Sequence, residues 1–116
     1  MEWAAQAGSL ITLVLGVFGV TAPLRISKLV GISPIGNHGL SEVRATYGGF
    51  FVGLGVMCLW LQQPQVYLVA GVAWMCAATV RVLSIMIDKA ALPNNFGGVF
   101  IEGGVGALLL LGAGSN

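Results

Sequence analysis

Leu10-Ile11-Thr12-Leu13-Val14-Leu15 and Leu108-Leu109-Leu110-Leu111 decide the fold. Both are apolar whichever way successive side chains point, so neither alternates as a strand with one wet face would, and neither reads as a strand of a membrane barrel. Outward from them the apolar character runs over residues 3 to 23 and 96 to 113, and two similar runs cover 42 to 62 and 66 to 87. Each is close to the roughly 20 residues a helix needs to cross hydrocarbon. Helices satisfy their own backbone there, and four of them account for the chain. The first run lacks a basic leader and a small-residue cleavage pattern, so it reads as a retained span rather than a signal peptide.

Composition agrees. Of 116 residues, 57% are hydrophobic and 8% charged, against roughly 45–50% and 25% in soluble domains. Nine charged side chains cannot clothe a protein of this size for water. The net charge of +1 offers no basic field, which excludes nucleic acid as a partner. Cys58 and Cys76 lie in apolar runs as isolated thiols. His38, the only histidine, has no neighbouring ligands, so neither a metal site nor a cofactor is expected.

Breaks between the runs carry turn chemistry: Pro23, Ser33-Pro34, Gly36-Asn37-His38-Gly39, Gln62-Gln63-Pro64-Gln65 and Pro93-Asn94-Asn95. Ser41 and Asn95 are placed as helix N-caps. The short connections predict an up-down-up-down bundle, a single transmembrane domain over residues 1–116, with sequential helices adjacent. All five basic residues, Arg25, Lys28, Arg44, Arg81 and Lys89, belong to one side. The charge bias therefore puts both termini outside the cytoplasm. Spans two and four, parallel in this topology, share a weak echo between Gly48-Gly49-Phe50-Phe51-Val52-Gly53 and Gly97-Gly98-Val99-Phe100-Ile101-Glu102.

Small residues at helical spacing predict the packing faces. They are Ala4, Gly8, Thr12, Gly16, Gly19 and Pro23 on span one; Ala45, Gly49 and Gly53 on span two; Ala70, Ala73 and Ala77 on span three; and Gly98, Glu102 and Gly106 on span four. Trp3, Trp60 and Tyr47 stand where interfacial anchors are common, and Trp74 lies deeper, facing lipid or the core.

Charges inside the spans are the informative residues. Arg81 lies two turns before Asp88, about 10 Å inside the cytoplasmic end of span three, and Glu102 lies at a similar depth in span four. An unpaired charge at the centre of a span costs about 2.5–3.5 kcal/mol, so the two are expected to pair. With Glu42, Arg44, Tyr47 and Asp88 they define the candidate cluster. Its bland reading is an interhelical ion pair that fixes packing. Its functional reading is a pocket in which the arginines hold an anionic or carbonyl group and Glu102 moves a proton or binds a cation.

Together, Ser41-Glu42-Val43-Arg44-Ala45-Thr46-Tyr47-Gly48-Gly49 with Gly53 and Gly55, then Arg81 followed by Asp88, then Glu102 in a glycine-rich last span, resemble a family of small bacterial four-helix membrane proteins known as a domain of unknown function. The resemblance spans nearly the whole chain and is most specific at Glu-x-Arg-x-x-x-Gly-Gly. It implies that Glu42, Arg44, Arg81, Asp88 and Glu102 are the family's polar signature, and it supplies no activity. The chain departs from the pattern after Asp88, where Lys89 stands in place of an expected glycine.

Three functions compete. A non-catalytic module would hold a lipid-like small molecule, or a partner helix or second copy, against glycine-lined faces. A membrane-embedded enzyme would use Glu102 and Arg81 for acid and base chemistry on an isoprenoid, quinone or lipid. A small oligomeric transporter or channel would need a polar stripe along a full span, and no span has one. A cavity ending at Arg81 and Glu102 would favour either of the first two; tight packing around the pair would favour a purely structural role.

Overall fold

A computed structural model describes residues 2–114. Those residues are helical throughout apart from short turns, with no strand. Helix α1 spans Glu2–Thr21 and α2 spans Pro23–Val30. The next helix begins as α3 (Gly36–Val43), widens into a π-helical turn (Arg44–Gly49) and continues as α4 (Phe50–Leu61). Helices α5 (Pro64–Ile87) and α6 (Pro93–Ala113) complete the chain. α1, the continuous stretch Gly36–Leu61, α5 and α6 are each long and apolar enough to cross a membrane. The chain is thus an all-α membrane protein with four candidate spans.

Local chemistry sets the ends, not always where the sequence places them. Proline disfavours a helical conformation in the residue before it, and Ala22 is accordingly non-helical at φ −136°, ψ 61°. α1 therefore stops at Thr21, and Pro23, which needs no N–H partner in a first turn, opens α2 instead of closing the span. α2 buries Pro23, Ile26 and Ser27. It lies in the connection between spans one and two. Ser41 is no cap, because span two begins five residues earlier at Gly36; Asn95 is no cap either, because Pro93 starts α6 and Leu92 holds the cap position.

Packing follows close approach of backbones. α1 is the central element, touching α4 on one side and α6 on the other, while α5 packs along α6. α4 and α5, joined by a two-residue turn, barely touch, so that pair of sequential helices is not packed as the short connection implied. The principal extents of 44 × 31 × 16 Å describe the resulting flattened bundle. A Cβ on Gly16 or Gly19 would lie 2.5 Å from the Val52 nitrogen or 2.1 Å from the Tyr47 oxygen. Likewise a Cβ on Gly112 would sit 2.0 Å from that of Ala5. Only glycine admits these contacts.

Two expected packing faces are wrong. On span two, Ala45, Gly49 and Gly53 are exposed, and the buried positions are Val43, Gly48, Gly55 and Cys58. The π turn takes an additional residue, so a four-residue spacing that crosses it no longer keeps one face. On span three, Ala73 and Ala77 are exposed, and Tyr67, Ala70, Gly71, Trp74 and Ala78 face inward. Tyr67 and Trp74 join the core with Ala5 and Cys58, beside the small residues Ala70, Gly71 and Ala78.

Candidate functional site

Arg81 and Glu102 meet across α5 and α6 as a two-pronged pair. Nε of Arg81 donates to Oε1 of Glu102 at 2.6 Å, and Nη2 donates to Oε2 at 3.0 Å. This is the fork-to-fork geometry of a guanidinium and a carboxylate, among the stronger pairings available to side chains. The side chains are 24% and 15% exposed, so the pair is largely removed from its surroundings without being sealed. Gly98, one turn before Glu102, makes room: a Cβ there would lie 2.7 Å from Nε of Arg81. The guanidinium therefore rests on the bare backbone of α6.

A third bond was not legible in the sequence. Nη1 of Arg81 donates to Oδ1 of Asn95 at 3.0 Å, and Nδ2 of Asn95 donates to the Ala90 carbonyl at 2.8 Å. Asn95, read as a cap, thus ties the guanidinium to the α5–α6 turn. Its position in the first turn of α6, seven residues before Glu102, was the available signal.

The pair lies in the wall of a partly open cavity of about 230 Å³. Trp74 and Phe51, with ring centroids 5.0 Å apart, form an aromatic end. Trp74 is buried, and its Nε1 donates to Oγ1 of Thr12 at 3.2 Å, which fixes the indole. Arg81 lies seven residues from Trp74 along α5, hence about 10 Å toward the other end. Ile26, Leu29 and Val30 of α2 cover that side, and Asn94, Gly97 and Gly98 of α6 complete the wall. Nδ2 of Asn94 donates to the Lys28 carbonyl at 3.5 Å and links α2 to α6. Tyr47, expected at the interface as an anchor, instead lines this cavity from the π turn.

The remaining cluster residues do not converge. Arg44 is exposed, and its Nη1 donates to the Val20 carbonyl in the last turn of α1. That carbonyl belongs to a helix end left without partners by the break at Ala22, and a cation there also suits the helix dipole. Glu42 is 67% exposed and lies 3.9 Å from His38 one turn earlier. Asp88 accepts a 2.5 Å bond from the Ser84 hydroxyl at the exposed end of α5. Of the six residues assembled from the sequence, Arg81, Glu102 and Tyr47 line the cavity, while Glu42, Arg44 and Asp88 do not. No group of three His, Cys, Asp or Glu side chains suited to a metal occurs among the described residues.

Comparison with known proteins assigns the chain without assigning an activity. No curated protein and no solved structure matches it. The family described as a Domain of unknown function (DUF4345) matches residues 1–113, and the chain belongs to that family.

Proposed function

We propose that the chain is a non-catalytic binding module of the bacterial inner membrane, which holds a small lipid-like molecule in the cavity between α1, α4, α5 and α6. One observation carries this reading: the Arg81–Glu102 pair is lodged in the wall of a partly open cavity rather than in a filled helix contact. A pair that served packing alone would be covered by neighbouring side chains, whereas this one keeps a polar end on an otherwise apolar space. Such a space is the usual form of a small-molecule site. Gly97 and Gly98 keep one wall low, and the aromatic rings at the far end offer flat apolar surface.

The test is mass spectrometry of compounds that co-purify with the wild-type chain, with Glu102→Gln and with Gly97→Leu. Gly97 lines the cavity, and a Cβ there would meet nothing within 4 Å, so a leucine can take up ligand space without clashing with the fold. A compound retained by wild type and depleted in both variants supports the proposal. Identical extracts from all three would remove it.

A second reading, an acid/base enzyme, draws on Glu102 and Tyr47, which line the same cavity. It requires that a co-purified compound be chemically converted by wild type and left intact by Glu102→Gln. Transport has less support, because the buried hydroxyls of Ser9 and Thr12 bond back to Ala5 and Gly8 of their own helix rather than extending a polar path.

A further inference from the structure

The polar end of the cavity is electrically closed, and this bears on what it can bind. Arg81 carries five N–H groups. Two are committed to Glu102 and one to Asn95. One N–H on each terminal nitrogen remains without a partner among the described residues, and the guanidinium lines the cavity. The Glu102 carboxylate already balances the positive charge at 2.6 Å. Arg44, the other arginine considered for holding an anion, is turned away toward the Val20 carbonyl. Lys28 and Arg25 lie on α2 and do not line the cavity.

We infer that the ligand is an uncharged amphiphile: a flat apolar body with a neutral hydrogen-bond acceptor, such as a carbonyl or ether oxygen, directed at Arg81. This rests on the binding reading above. A neutral acceptor gains charge-assisted hydrogen bonds from the two remaining N–H groups without disturbing the pair. A carboxylate or phosphate head would add a negative charge to a site whose only cation is already matched, and in an apolar surround that charge would go uncompensated. Size narrows the body. A 150 Å³ apolar cavity is known to take benzene, so about 230 Å³ has room for a second fused ring. The Phe51–Trp74 end supplies aromatic faces on which it stacks.

Three naphthalenes matched in their ring body test this: 2-acetylnaphthalene, 2-naphthoate and naphthalene itself. Each is titrated at pH 7.4 into the protein in lipid nanodiscs, in a Trp3→Phe, Trp60→Phe background where Trp74 alone reports. Saturable quenching of Trp74 should place acetylnaphthalene at least tenfold tighter than the other two. In Glu102→Gln the guanidinium loses its counter-charge, and 2-naphthoate should then bind tighter than the ketone. Naphthoate binding as tightly as the ketone to wild type overturns the neutral-head inference and leaves the binding module standing. Absence of saturable quenching by all three, with the protein folded, removes the module and the inference together.

Discussion

Gly98 shows how a single residue decides whether the cavity has a polar end. Its missing side chain is the space in which the Arg81 guanidinium lies, since a Cβ would come within 2.7 Å of Nε and 2.9 Å of Cζ. An arginine tip can ordinarily swing aside at little cost, but this one is held by three hydrogen bonds and leaves only by breaking them. Gly98→Ala is therefore expected to lose about 2 kcal/mol, the scale of a charge-assisted bond lost in a part-buried site, despite alanine's better helix propensity. Thermal unfolding in detergent checks it, and an unchanged midpoint would show that the guanidinium has another resting place. Lys89 makes the opposite case. It sits in the left-handed region at φ 52°, just past the end of α5, where Ala90 donates back to the Ile85 carbonyl in a helix-ending turn. Glycine holds such a position without strain, and Lys89→Gly should raise stability by roughly 1 kcal/mol. The Arg81–Glu102 pairing was legible in the sequence because both charges lie at similar depth and isolation in hydrocarbon is costly. The partner of Arg44 was not, because a bare helix-end carbonyl leaves no mark among the side chains.

At the scale of elements, the π turn at Arg44–Gly49 separates what the sequence reveals of span two from what it conceals. Existence of the four spans follows from hydropathy, which is indifferent to helix phase, although span two starts earlier than its apolar run, at Gly36. The packing face depends on phase, and a π turn shifts it. Thus the small-residue stripe of α1, which contains no such turn, reads correctly at Ala4, Gly8, Thr12, Gly16 and Gly19. The stripe of span two instead has its contacts at Gly48 and Gly55. A pair of substitutions exposes this difference. In Gly19→Ala the added methyl meets the backbone at Tyr47 and Gly48, at 2.1 to 2.6 Å, and backbone cannot rotate away. The expected loss is about 3 kcal/mol, with α1 pushed off the turn that carries Tyr47. In Gly53→Ala the methyl meets nothing within 4 Å, and the gain should be about 0.5–1 kcal/mol from lower backbone entropy. Thermal midpoints of the two variants should move in opposite directions. Movement in the same direction would mean that span two packs in the phase its stripe implies.

For the whole molecule, the distribution of charge predicts which side of the membrane the cavity serves. Arg25, Lys28 and Arg44 flank the α2 end of the bundle, and Arg81 and Lys89 lie toward the same end of α5. The other end, where Gln6 donates to Gln62 at 3.2 Å and Trp3 and Trp60 are exposed, has no basic residue. Since basic residues are retained on the cytoplasmic side, the cavity, covered at that end by α2, is expected in the cytoplasmic half of the bilayer. Its ligand would then be delivered from the inner leaflet or the cytoplasm. Two cysteines introduced into a chain carrying Cys58→Ala and Cys76→Ala test the assignment. Gln63→Cys, in the α4–α5 turn, should react with a membrane-impermeant maleimide in intact cells. Ala91→Cys, in the exposed α5–α6 turn, should react only after permeabilisation. The reverse pattern would turn the bundle over, place the α2-covered cavity beneath the outer face, and require a ligand supplied from outside the cell.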